Sequence, residues 1–224
     1  MIFIYGSSWC IKRHQPYAWY NLLQKYYKCE VKNYSFSGVS FEWCFSKIDR
    51  TKYHWQSGDI VLFGEPHIIR KWFFKRYPGI AEEDKVLRST RLSDEDKQFA
   101  LRWKHKYVNM DLEHLQLKAH YSLMNQSLRE KNIKCYVMQG WERPPLENLS
   151  NIRFSKGITL ADISNQEDVN NIGNAIWDDL DPRVNHFCQD NHIIIAQQII
   201  KAIKTDSSID LSVDFKRGFY ERPS

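Results

Sequence analysis

The sequence predicts an α/β fold in which a parallel β-sheet is covered by helices on both faces. Two observations carry this expectation. Five short apolar runs each end in small or glycine-containing residues, and the intervals between several of them have helical rather than alternating periodicity. A continuous run of four or five apolar residues suits a strand buried on both faces, whereas a sheet with one wet face would alternate.

Taken in order, the first run is Ile2-Phe3-Ile4-Tyr5, closing on Gly6-Ser7-Ser8. The second spans Val31 to Phe36 and closes on Ser37-Gly38-Val39-Ser40. The third is Asp59 to Phe63, before Gly64-Glu65-Pro66; the fourth is Lys134 to Met138, before Gln139-Gly140. A weaker fifth, Asn151 to Phe154, closes on Ser155-Lys156-Gly157. Between them, Pro16 to Tyr27 sets Tyr17, Tyr20, Leu22, Leu23 and Tyr26 at helical spacings. Residues Asp94 to Arg129 are a long charged and apolar mixture of helical character, with no proline or glycine. Asp190 to Ile203, with Ile193, Ile194, Ala196, Ile199, Ile200 and Ile203, reads as an amphipathic final helix. Residues 65–93 form a longer connection containing the basic-aromatic stretch Arg70 to Tyr77. No linker interrupts residues 1–204, so one domain is expected there. Residues 205–224 are polar and are expected as a C-terminal tail, wrapping the surface or partly free.

Composition narrows the class. The chain has 224 residues, of which 42% are hydrophobic and 26% charged, a balance suited to a folded globular protein. No run approaches the ~20 apolar residues of a membrane helix, and the N-terminus lacks a basic leader before a long apolar run. No membrane partner and no signal-directed secretion are therefore expected. Cys10, Cys29, Cys44, Cys135 and Cys188 are odd in number and scattered without a C-x-x-C pair, which points to a reducing compartment. A cytoplasmic protein, or one carried in a cytoplasmically assembled particle, fits that pattern. The net charge of +5 is spread among residues of both signs, so nucleic acid is not an expected partner. A weaker nucleic-acid reading would use the clusters at 70–77 and 102–106. His105, His114 and His120 lack H-x-x-x-H or H-E-x-x-H spacing, so neither a metal nor another cofactor is expected. The 8 Trp, 12 Tyr and 12 Phe fill a core, and such rings also stack against sugars.

In an open parallel sheet, ligands bind at the carboxyl ends of the strands. The first three strand ends offer Ser7 and Ser8, Gly38 with Ser40, and Gly64 with Glu65. A serine after the first strand points its hydroxyl into that crevice, and a glycine at the second strand end lets a backbone N–H approach a developing oxyanion. A serine hydroxyl needs a neighbouring base to act as a nucleophile. The candidate base lies in Asp181-Pro182-Arg183-Val184-Asn185-His186, ahead of the last helix. Each feature also has a structural reading: Ser8 as a turn residue, Gly38 as a strand-end turn, and His186 and His192 as buried or capping residues. Residues 70–77 likewise read as a solvated amphipathic helix, or else as a rim or lid contacting an acidic glycan or phosphate. Glu65 invites comparison with paired-carboxylate glycosidases, but no strand-end partner for it is evident.

These pieces, in this order, resemble the SGNH (GDSL-type) serine hydrolases. Gly6-Ser7-Ser8-Trp9 stands where that family has G-D-S, and Ser37-Gly38-Val39-Ser40 matches its second block. His186, His192 and Ala196 fall in step with its terminal H-x-x-x-x-x-H-x-x-x-A block. The G-S-S-W wording is most similar to divergent bacteriophage-encoded members. The resemblance implies a three-layer α/β/α sandwich with a parallel, flavodoxin-like sheet of about five strands over residues 1–204. It implies Ser8 as nucleophile, His186 as general base, and Ser8 and Gly38 as oxyanion-hole donors. The implied substrate is a carbohydrate O-acetyl group or another small acyl ester. Three departures stand out. Ser7 replaces the family's Asp, Pro66 replaces the Asn of G-x-N-D, and Arg183 stands where the orienting acid should precede the histidine. Asp181, Asp179 or Asp178 can take that acid's role, or the site can run as a Ser–His pair. Glu65 and His67 are expected at the site rim, where His67 could supply the missing donor. The alternative expectation is a catalytically silent SGNH fold, acting as a binding or structural protein of a phage particle with virion or assembly partners.

Overall fold

The computed structural model describes residues 1–12, 14–66, 93–107, 109–166 and 187–216. Five strands form one sheet: β1 (Ile2–Gly6), β2 (Val31–Asn33), β3 (Ile60–Gly64), β4 (Lys134–Met138) and β5 (Ile152–Phe154). Their order is β2-β1-β3-β4-β5, and every neighbouring pair is parallel. The register runs Ile2↔Ile60↔Lys134 at one edge and Gly6↔Gly64↔Met138 at the carboxyl edge.

The pleat divides the core into two layers, because successive side chains in a strand point to opposite faces. Ile2, Ile4, Leu62, Tyr136 and Met138 enter one layer, packed with α1 (Trp19–Tyr27), α5 (Leu160–Gln166) and α6 (Gln189–Thr205). Phe3, Tyr5, Val61, Phe63, Cys135 and Val137 enter the other, packed with α2 (Phe41–Thr51) and α4 (Met110–Glu130). The fold is therefore a three-layer α/β/α sandwich, and burial on both faces explains the apolar runs of the central strands β1, β3 and β4.

The helices show why local sequence places them. In α2, Phe41, Cys44, Phe45 and Ile48 are buried at i, i+3, i+4 and i+7, and the Ser40 hydroxyl caps the helix by accepting from the Trp43 N–H at 3.3 Å. The helical stretch expected over 94–129 consists of two helices, α3 (Asp94–Tyr107) and α4. The Asn109 side chain accepts from the N–H groups of Asp111 (3.0 Å) and Leu112 (3.3 Å), so it starts a new helix with no glycine or proline between.

The segment after α6 differs from the expected tail. Asp206 ends the helix at φ 47°, and β7 (Asp210–Leu211) pairs in parallel with β6 (Lys156–Gly157). Ile209, Leu211 and Phe215 are buried with the α1/α6 layer, so 209–215 belongs to the core. Among the described residues, no helix is long and apolar enough to cross a membrane.

Candidate functional site

The site is built at the carboxyl edge of the sheet, where strand order reverses between β1 and β3. Gly6 and Gly64 face each other there in register. Gly6 has φ +144°, and a Cβ on it would stand 2.4 Å from the Gly64 carbonyl oxygen, so no side chain fits. Cys10 Sγ lies against this pair, wholly buried, and burial pushes its thiol up to about 12 despite a hydrogen bond to the Gly64 backbone. Cys10 is thus a packing group and not a reactive thiolate at neutral pH.

From Gly6 the chain turns sharply. The Ser7 N–H donates to the Gly64 carbonyl (3.4 Å), and a single 3-10 turn over Ser8–Cys10 is closed by Cys10 N–H to Ser7 O at 3.0 Å. Ser7 is fully buried, and its hydroxyl has no hydrogen-bond partner among the described residues. Ser8 is half-buried and is the serine of the pair that reaches solvent.

The loop after β2 runs alongside. Tyr34 N–H donates to Ile4 O (2.8 Å) and Phe36 N–H to Gly6 O (3.1 Å), extending the ladder to the turn that carries Ser8. Asn33 joins both loops: its Nδ2 donates to Cys10 O at 2.7 Å, and its Oδ1 accepts from Ser35 N–H at 2.9 Å. Gly38 sits in the following turn with φ +69° and open space around it. Glycine is needed there for the left-handed turn and not for a close approach. Ser8 and Gly38 therefore occupy neighbouring loops at one edge of the sheet.

Glu65 departs from its expected place at the rim. It is only 2% exposed and is fully engaged. Arg143 donates Nε to Oε1 (3.1 Å) and Nη2 to the same oxygen (2.9 Å), while the Tyr121 hydroxyl donates to Oε1 at 2.5 Å. The Arg143 guanidinium is stacked over Phe154 at 4.4 Å. Burial raises the Tyr121 phenol well above its ordinary value, and the Glu65 charge raises it further. Burial alone would lower the Arg143 guanidinium, but the adjacent Glu65 carboxylate outweighs that and raises it. The glycosidase idea needs a free carboxylate pair, and Glu65 is committed to an ion pair beneath the edge.

His67, Asp181 and His186 lie outside the described residues, as do Asp178, Asp179, Arg183 and residues 70–77. The helix that follows His186 is described. Phe187 is buried and packs edge-on against His192 at 5.5 Å. His192 is itself fully buried, and its Nδ1 accepts from the Trp19 N–H at 3.4 Å, serving the first turn of α1. His192 is therefore a core and capping residue. Trp19 also donates its indole N–H to the Trp9 carbonyl in the Ser8 turn at 3.1 Å, so the first turn of α6, held on Trp19 through His192, begins beside that turn.

Arg143, Tyr121 and Asn33 escaped the sequence-based site. A carboxylate at the end of an apolar strand is a usable signal, since buried Glu requires a partner, but nothing in the sequence names which one. Among the described residues, a cavity of about 410 Å³ lies between α2 and α4, lined by Phe45, Ile48, His120, Leu123 and Met124, and shares no residue with the strand ends. The described residues hold no group of three His, Cys, Asp or Glu placed to bind a metal ion. No protein-family model matches the chain, and no curated protein matches it.

Proposed function

We propose that the chain is an SGNH-like serine hydrolase acting on an ester, a carbohydrate O-acetyl group or a similar small acyl ester. One observation carries this reading: Ser8 is a half-buried hydroxyl in the turn at the β1/β3 switch point, beside the loop that holds Gly38. The beginning of α6 at that same edge supports His186, two residues before the helix's N-cap Cys188, as the base.

In this mechanism Ser8 Oγ attacks the ester carbonyl carbon while His186 takes the hydroxyl proton. The backbone N–H groups of Ser8 and Gly38 donate to the oxyanion, and Asp181 orients His186. His186 returns the proton to the departing alcohol. Water then cleaves the acyl-serine by the same proton route, releasing the acid and restoring Ser8. With Pro66 in place of a donor side chain, a rate about 100- to 1000-fold below that of a full oxyanion hole is expected.

The test is turnover of p-nitrophenyl acetate together with labelling by a fluorophosphonate. Ser8→Ala should abolish both; equal rates in the two proteins would remove Ser8 from the chemistry.

A second reading is a silent SGNH fold serving as a binding or structural protein of a phage particle. The buried Pro66 and the closed Glu65–Arg143 pair favour it, since neither can supply a group to an oxyanion. A folded chain that the fluorophosphonate never labels would select this reading.

A further inference from the structure

Helix α4 is apolar on two opposite faces. Leu117, Tyr121, Met124 and Leu128 are buried against the sheet at helical spacings. The opposite line carries Leu112, Leu115, Ala119 and Leu123, where an ordinary surface helix carries charge. Ala119 is exposed, and the three leucines are 47%, 63% and 65% exposed. The other residues on that line, Gln116, Ser122 and Gln126, are uncharged. Two of them bond within the helix: the Ser122 hydroxyl donates to Lys118 O at 2.8 Å, and Gln126 Nε2 donates to Glu130 Oε1 at 3.0 Å. Covering the face therefore removes apolar surface from water and strands few polar groups.

The pattern is nearly palindromic about Ala119. Leu115 and Leu123 stand four residues to either side of it, and Gln116 and Ser122 three. Charge follows the same centre. Asp111 lies eight residues before Ala119 and Arg129 ten after it, and the interval between them is five full helical turns, so both lie on one flank of the face. We propose that this face binds a second copy of the chain, the two α4 helices packing antiparallel about a two-fold axis at Ala119. Symmetry makes each contact twice. Leu115 meets the partner's Leu123, and the small Ala119 side chains let the helices approach. Asp111 comes within about 3 Å, along the helix axis, of the partner's Arg129. A parallel pair would set Asp111 against Asp111 and Arg129 against Arg129, so charge selects the antiparallel arrangement. Lys118, on the same flank beside the axis, opposes its own copy. A face about 21 Å long and one helix wide is small beside the ~800 Å² per partner of a standard interface, so the dimer is weak and concentration-dependent. The pairing does not depend on the ester-hydrolase reading.

Sedimentation velocity over about 5 to 500 μM, the range suited to a small interface, reads the association. The wild type should pass from 26.8 kDa toward twice that mass. Leu115→Glu and Leu123→Glu should each weaken association at least about 10-fold, with melting temperature unchanged because both positions are exposed. Lys118→Gln should tighten it about 2- to 5-fold by removing the like charges at the axis. Asp111→Arg and Arg129→Asp should each weaken it about 3- to 10-fold alone, and mixing the two variants should restore it, since the mixed dimer again sets opposite charges together at both ends. Single charge variants that associate like the wild type, with only their mixture tighter, would make the pair parallel and overturn the arrangement. A dimer left intact by both glutamate variants would use another surface and overturn the interface. A chain monomeric throughout the range would overturn it as well. Loss of stability in the glutamate variants would then place another part of the chain on the face, and unchanged stability would leave the face to a different protein.

Discussion

Glu65 and Arg143, 78 residues apart in sequence, form a forked ion pair whose side chains are 2% and 4% exposed. The pair joins the loop after β3 to the loop after β4, and Tyr121 from α4 completes it from the second core layer. The loop that begins at Glu65 is thereby anchored through a side chain as well as through its N–H, which donates to Met138 O at 3.0 Å. A buried charge pair of this kind is held by mutual satisfaction, since either ion alone would bear its full desolvation cost.

Arg143→Met should therefore cost about 3–5 kcal/mol, because it strands the Glu65 carboxylate in the core. The double variant Glu65→Gln with Arg143→Met removes both charges and should recover a large part of that loss. Urea unfolding of the two singles and the double, arranged as a cycle, measures the coupling. Additive effects would show that the pair is not coupled.

Asn33 links the turn that carries Ser8 to the loop that carries Gly38. Asn33→Ala should lower stability by about 1–2 kcal/mol, for two hydrogen bonds of ordinary strength. Asn33→Asp keeps the acceptor for Ser35 but loses the donor to Cys10, so it should hold the loop and release the turn. On the hydrolase reading, fluorophosphonate labelling of Ser8 slows in both variants. Slowing in Asn33→Ala alone would show that the Cys10 bond does not matter to Ser8.

The fold was legible where one physical cause dominated. Strands buried on both faces must be apolar without alternation, and the central strands β1, β3 and β4 carry that mark, whereas the edge strands β2 (Val-Lys-Asn) and β5 (Ile-Arg-Phe) are half-buried and mixed in polarity. The segment from Ile209 to Phe215 was not legible, because its buried residues alternate with Asp210, Ser212 and Asp214 and resemble a polar tail. Asn109 looks ordinary within a charged helical stretch, although its side chain caps the start of a new helix. Of the candidate residues, the placement of Ser8 and Gly38 in loops at the carboxyl edge of the sheet was legible, because strand ends are local. The Glu65–Arg143–Tyr121 cluster and the Asn33 bridge depend on side chains meeting across loops, and no spacing rule encodes such meetings.

Asp206 gives a pH dependence of known sign. Slight desolvation pushes its carboxyl up, but Lys134 and Arg153, each with a nitrogen 3.3 Å from Oδ2, outweigh this and hold it below the usual carboxylate range. The charged form is therefore favoured in the folded state. Its contribution is complete above the unfolded value, about 3.9, and is lost as pH falls through the lower folded value. The carboxylate is 49% exposed, so the effect is at most about 1 kcal/mol. Asp206→Asn keeps a residue that tolerates φ 47° and removes only the charge. Its urea midpoint should lie below wild type at pH 7, with the gap closing in acid; a gap that widens in acid would reverse the sign.

The segment after α6 provides the sharpest contrast between sequence and structure. Asn191, fully buried in the first turn of α6, clasps the backbone of Lys216 twice: Oδ1 accepts its N–H at 2.7 Å and Nδ2 donates to its carbonyl at 3.2 Å. Between that clasp and the end of the helix, Ile209, Leu211 and Phe215 are buried against the α1/α6 layer. Truncating a side chain in a peripheral tail changes stability by less than about 0.5 kcal/mol. Truncating one in a packed core leaves a cavity, so Leu211→Ala should cost about 2–5 kcal/mol and Phe215→Ala about 3–5 kcal/mol. Thermal melts of the two variants measure those losses. Limited proteolysis provides an independent measure, since a strap held in this way should resist cleavage between 206 and 216 in the wild type and become susceptible in Asn191→Ala. Wild-type cleavage at those bonds, with both core variants melting at the wild-type temperature, would return 205–216 to the surface.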